Sequence, residues 1–181
     1  MKHTGGKGER PLFLSFRQLC GLGFLGCAGA MGFALYLEHF RHLEPCAMCI
    51  FQRVAMIFTA IVFLAGALHA PRGGGRRAYA IAAALTALAG VGIAARHVWL
   101  QSLPPDLVPA CGPTLDYMLQ LMPFDEVVQF VLKGDGECAK INAEFLGVGL
   151  PAWTLLTFIG LALFALAMPV VATKPDRSAN R

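Results

Sequence analysis

Charged side chains are scarce in this sequence: Asp, Glu, Lys and Arg make up 14% of its 181 residues, where soluble domains carry about 25%. Hydrophobic residues reach 56% and the mean hydropathy is +0.60, more apolar surface than one soluble core of this size can bury. A soluble globular domain is therefore excluded, and the bilayer is the expected solvent. Internal repeats and low-complexity tracts are also missing, so residues 1–181 read as a single membrane domain. The net charge of +4 is explained below by topology and needs no nucleic-acid partner.

What is present are uncharged runs of spanning length, Gln18 to Leu37, Ala78 to Ala95 and Phe145 to Thr173, with a fourth from Cys46 to Leu68 that tolerates Arg53. They predict an all-α membrane protein, a four-helix transmembrane bundle with spans near 16–37, 47–69, 78–98 and 147–171. The connecting outer loops are 38–46 and 99–146. In the long loop, Leu115, Met118, Leu119 and Met122 keep helical spacing and Pro123 interrupts it, which predicts short helices lying on the membrane surface. The stretch PRGGG is a tight turn between the second and third spans.

Basic loops resist translocation, so their distribution orients the bundle. Lys2, Lys7, Arg10, Arg17, Arg72, Arg76, Arg77, Lys174, Arg177 and Arg181 all fall on one side, while the two outer loops hold Arg41, Lys133 and Lys140 against nine acids. Both termini are expected in the cytoplasm. A cleaved signal peptide is the alternative for the first span, with FLGC at Phe24 to Cys27 as its cleavage-like feature. The apolar run exceeds the roughly 7–15 residues of a signal core, and a retained helix is expected.

Six cysteines divide by depth. Cys20 and Cys27, seven residues apart on the first helix, are separated by roughly 10 Å along its axis; they are too distant to bridge and read as small packing residues. Cys46, Cys49, Cys111 and Cys138 all face outward, where an oxidising compartment allows disulfides, and four cysteines permit three pairings. Spacing argues for Cys46 with Cys49. A C-x-x-C at a helix start sits near the positive end of the helix dipole, which favours thiolate and makes the pair easy to cycle. Pro45 suits that start, because its missing N–H costs nothing there. Cys46, Cys49 and Arg53 share one helix face by their i, i+4 and i, i+7 steps. An intramembrane arginine signals function or an internal partner, with snorkelling to the headgroups as the alternative. His97, in ARHVWLQ, is the other polar group at that surface; it is either part of the site or an interfacial histidine beside the anchor Trp99. Cys111 and Cys138 either exchange thiols or staple the loop.

EPCAMCIFQR, ARHVWLQ, PACGPTLDYML, GDGECAK and FLGVGLPAWTLL, in this order over nearly the whole chain, resemble the disulfide bond formation protein B family, DsbB. The resemblance implies an inner-membrane protein-disulfide:quinone oxidoreductase that reoxidises DsbA, a soluble periplasmic thiol oxidant. It supports disulfide formation in exported proteins by passing the electrons to a membrane quinone, ubiquinone first and menaquinone as the alternative. Cys111 and Cys138 would meet DsbA, with Cys111 forming the mixed disulfide. Cys46 and Cys49 would be the quinone-side pair, with Cys49 nearest the ring, and Arg53 and His97 match positions associated with quinone binding. Cys20 and Cys27 lie outside this set. The physical logic agrees: DsbA is a strong oxidant near about −120 mV, so an ordinary structural disulfide below about −300 mV cannot reoxidise it without an onward acceptor.

Three other readings compete. A non-enzymatic four-span protein with structural loop disulfides gives Arg53 no role. A zinc site of the four outer cysteines lacks a second C-x-x-C. The vitamin K epoxide reductase family places its loop pair before its C-x-x-C, the reverse of the order here.

Overall fold

The computed structural model describes residues 14–43, 45–104, 106–139, 144–145 and 147–172. Lys2, Lys7, Arg10, Glu44, Lys140, Lys174, Arg177 and Arg181, used above for orientation, lie outside the described residues. Four long helices, α1 (Phe16–Arg41), α2 (Ala47–His69), α3 (Gly74–Gln101) and α7 (Leu150–Val171), are each long and apolar enough to cross a membrane. Even α7, at 22 residues, spans about 33 Å, enough for a hydrocarbon core of about 30 Å.

Local chemistry sets the helix ends. Ser15 caps α1 in a reciprocal box with Gln18, each side chain satisfying the other residue's backbone N–H. The helix runs beyond its uncharged stretch to Arg41 and stops at His42 in the left-handed conformation, φ 52°. The turn into α3 is made at Gly73, whose φ of 58° suits a residue without a Cβ. The expected opening of the last span, FLGVGL, is instead a two-residue antiparallel hairpin, Glu144–Phe145 against Val148–Gly149. Gly147 at φ 75° turns it, and α7 begins at Leu150 with Pro151 in its first turn, where no N–H is needed.

The bundle packs in chain order: α1 against α2, α2 against α3 and α3 against α7, whereas α1 and α7 meet only sparsely. Small residues permit the close approaches, as expected where lipid supplies no hydrophobic drive between helices. On α3, Ala80, Ala83, Ala84, Ala87, Gly90 and Ala94 are buried, and a Cβ at Gly90 would stand 2.3 Å from the Phe158 ring. Gly23 accepts Phe63 and Gly66 accepts Cys20 in the same way. Large apolar side chains such as Leu25, Phe58, Leu85 and Leu163 cover the outside, the surface that lipid solvates.

The long loop forms α4 (Leu115–Leu121), α5 (Phe124–Lys133) and the single turn α6 (Gly136–Ala139). Thr114 caps α4 through the Tyr117 N–H, and Pro123 ends that helix by becoming the N-cap of α5. Met118, Val127 and Val131 bury their side chains with Met48 and Leu100, which seats the loop on the start of α2 and the end of α3. Arg96 fixes it further: its guanidinium donates to the carbonyls of Leu132 and Lys133 at 3.2 and 2.8 Å while stacking on Trp99.

Candidate functional site

Cys46 is the N-cap of α2. Its sulfur accepts from the Cys49 N–H at 3.4 Å, and its S–H donates to the Cys49 sulfur at 3.1 Å. Closing by about 1 Å would reach a disulfide bond length of about 2.05 Å. Pro45 therefore precedes the cap instead of opening the helix, because the cysteine side chain itself takes the capping position.

His97 joins this pair from α3. It is only 2% exposed, so it is a buried member of the site and not an interfacial ring. The Gln52 amide donates to Nδ1 at 3.1 Å, and Nε2 donates to the Cys138 carbonyl at 3.0 Å with the Cys46 sulfur 3.8 Å away. These partners fix the Nε2–H tautomer. Cys138 is held by its own N–H on Asp135, and its buried thiol lies against Cys46. That neighbouring sulfur first, then burial, pushes the Cys138 thiol well above the ordinary range.

Cys111 occupies a different environment. It is exposed, its thiol donates to the Glu137 carboxylate at 3.4 Å, and the Gly136 N–H donates to the Ala110 carbonyl at 3.3 Å, tying the two loop strands together. A Cβ at Gly136 would stand 3.0 Å from the Cys111 sulfur, so the two strands approach closely only with glycine there. The site thus gathers Cys46, Cys49, His97 and Cys138 at one point and presents Cys111 outward beside it. Cys20 and Cys27 are buried in the bundle core, away from this group.

Arg53, one turn inside Cys49, forms an ion pair with Glu38 of α1. Sequence reasoning placed Glu38 in a loop and assigned Gln52 nothing. Gln52 could have been noticed as a second polar residue beside Arg53 in an apolar run, whereas the Glu38 contact depends on where α1 ends and how it packs. Beside this pair, in the cleft where α1 and α7 fail to close, lies a cavity of about 430 Å³. Met31, Ala34 and Leu37 of α1 and Pro151 and Trp153 of α7 line it, together with Cys46, Cys49, Gln52, Arg53, His97 and Gln101. An apolar slot with a few convergent polar groups is the form of a small-molecule site, and it fits a flat, lipid-soluble ring with two carbonyl oxygens.

The matching family profile is described as "Disulfide bond formation protein DsbB" and covers residues 16–168. The chain belongs to the disulfide bond formation protein B family. Among its relatives bearing the name "Disulfide bond formation protein B", that of Chromohalobacter salexigens is 53% identical over 156 residues, 86% of this chain and 91% of the relative. That of Hahella chejuensis is 49% identical over 158 residues, 87% and 96% of the two chains, and that of Xanthomonas campestris pv. campestris 48% over 157 residues, 86% and 91%. As a DsbB-type protein it is a multi-pass inner-membrane thiol–disulfide oxidoreductase, which sets aside the structural four-span reading.

Proposed function

We propose that this DsbB-type oxidoreductase reoxidises a DsbA-like periplasmic thiol oxidase through Cys111 and Cys138, and delivers the electrons through Cys46 and Cys49 to a quinone in the α1–α2–α7 cleft. The observation that carries the reading is the Cys46–Cys49 pair opening onto an apolar cavity that Arg53 and His97 also line. The same reading puts both termini in the cytoplasm.

Start from Cys111–Cys138 and Cys46–Cys49 disulfides. A DsbA thiolate attacks the Cys111 sulfur and Cys138 leaves as thiolate. Cys138, packed against Cys46, attacks that sulfur, making Cys46–Cys138 and releasing Cys49 at the cavity. The second DsbA thiol then resolves the mixed disulfide, freeing oxidised DsbA and the Cys111 thiolate, which attacks Cys138 and releases Cys46. Two electrons have moved from DsbA to the Cys46–Cys49 dithiol. While Cys46 is bridged to Cys49 it carries no thiolate charge, so its contribution to raising the Cys138 pKa is absent when Cys138 acts as the nucleophile.

Bound in the cavity, a quinone supplies a two-electron, two-proton acceptor. Cys49 is proposed as the thiol that meets it, Arg53 brings a positive charge to the cavity wall, and His97, also in that wall, keeps its Nε2–H on the Cys138 carbonyl. Ubiquinone is the first candidate and menaquinone the second. The test is purified protein with reduced DsbA and each quinone, followed by quinone absorbance. Stoichiometric reduction that requires all four cysteines is expected; a zero rate with every quinone overturns the proposal.

A further inference from the structure

Three soft ligand atoms converge at the outer end of α2. The Cys46 and Cys49 sulfurs and an imidazole nitrogen of His97 all lie within 4.8 Å of one another. A tetrahedral zinc site, with Zn–S of about 2.3 Å and Zn–N of about 2.0–2.1 Å, has ligand–ligand edges of about 3.6–3.8 Å. The edge from Cys46 to His97 Nε2 is already 3.8 Å, and the sulfur–sulfur edge of 3.1 Å opens to this range by a small side-chain rotation.

The surroundings are those of a ligand site. Zinc needs neutral imidazole at Nε2, with the proton on Nδ1 and an acceptor for it. Gln52, 4% exposed and 3.1 Å from Nδ1, supplies its amide oxygen once the amide turns over, and the Nε2 contact to the Cys138 carbonyl is exchanged for the metal bond. All three ligands line the cavity, which leaves a fourth position open to water, as in catalytic zinc sites with two cysteines and one histidine.

We propose that the dithiol form of the chain binds one zinc-class cation at Cys46, Cys49 and His97. Binding consumes both thiols of the pair, displaces their protons and leaves their oxidation state unchanged. The occupied pair cannot form a disulfide, so the cation acts as a reversible brake on the reduced protein alone, and the oxidised pair, lacking thiolates, does not bind it. This inference rests on the ligand geometry and stands whichever acceptor the protein uses.

The full-length protein in detergent, fully reduced and metal-free, is titrated anaerobically with Co²⁺, whose bands report tetrahedral thiolate ligation. One equivalent should give thiolate-to-cobalt charge-transfer and strong visible d–d absorption, and Zn²⁺ should displace it. Protein with the Cys46–Cys49 disulfide intact should give neither band. Gln52→Leu should weaken binding about 10–100-fold, the usual effect of removing an outer partner, and His97→Ala should weaken it further and reduce the d–d intensity. Double replacement of Cys20 and Cys27 by alanine should change nothing. A measurement free of variants uses the wild-type chain: Zn²⁺ should protect Cys46 and Cys49 from maleimide and leave Cys111 reactive. Unprotected thiols, equal bands from oxidised protein, or bands indifferent to His97→Ala in a folded variant would each overturn the site.

Discussion

In the proposed relay the guanidinium of Arg53 stands where electrons leave the thiol pair, yet it carries its own counter-charge in Glu38. The pair is partly exposed, 22% and 32% for the two side chains, so its worth lies in orientation more than in stability. Arg53→Ala should lower quinone kcat/KM on the order of 10–100-fold, below the about 10²–10³-fold of a fully enclosed donor, while Cys46 and Cys49 still form their disulfide. Lysine should recover only part of this, having charge without the planar fork. Steady-state kinetics over quinone concentration checks it, and loss of the DsbA adduct with unchanged quinone kinetics would contradict it. Cys111 and Cys138 should separate equally clearly in the reduced protein. A raised pKa means less thiolate at neutral pH, and Cys138 is also buried. Maleimide labelling with peptide mapping should find Cys138 slower than Cys111, with the gap narrowing as pH rises; equal rates at neutral pH would show that Cys138 is not sheltered by Cys46. Thiols and an arginine inside an apolar sequence were visible without a structure because they violate its composition. The roles of Glu38 and Gln52 were not, since each depends on a residue of another helix, 15 and 45 positions away.

At the scale of elements, close helix packing depends on missing side chains. Gly90 lets α3 reach the Phe158 ring of α7, so Gly90→Ala should cost about 1–3 kcal/mol through overpacking. Thermal unfolding in detergent checks this, and an unchanged midpoint would mean the ring has room to move. The loop is joined to α3 differently, by Arg96 on the carbonyls ending α5. Removing that guanidinium should loosen 134–138 and slow transfer from Cys138 to Cys46 while Cys111 still captures DsbA. Hydrogen exchange over α5 and α6, with trapping of the mixed disulfide, reads both effects, and unaltered exchange would assign Arg96 only to Trp99. Hydropathy made the four long helices legible, and the spacing around Pro123 indicated the break between α4 and α5. The hairpin before α7 escaped because FLGVGL is as apolar as the helix it precedes, and only Gly147 at positive φ decides between them.

For the whole molecule, the order α1–α2–α3–α7 leaves one seam unsealed, between the first and last helices. No periodicity specifies which helices will be neighbours, so the cleft could not be read from the sequence, although Cys46, Cys49, Arg53 and His97 in its wall could. On the proposed function, the seam lets one chain serve two phases, with its loop meeting a soluble protein and its cleft opening among lipid-facing helices. The most direct test of that account is a photoactivatable quinone analogue applied to the protein in membranes, with the attachment sites mapped by mass spectrometry. Labelling should fall on α1 between Ala30 and Leu37, on Met56 and on α7 between Trp153 and Thr157, and excess quinone should suppress it. Competable labelling confined to other faces of the bundle, with this cleft untouched, would contradict it.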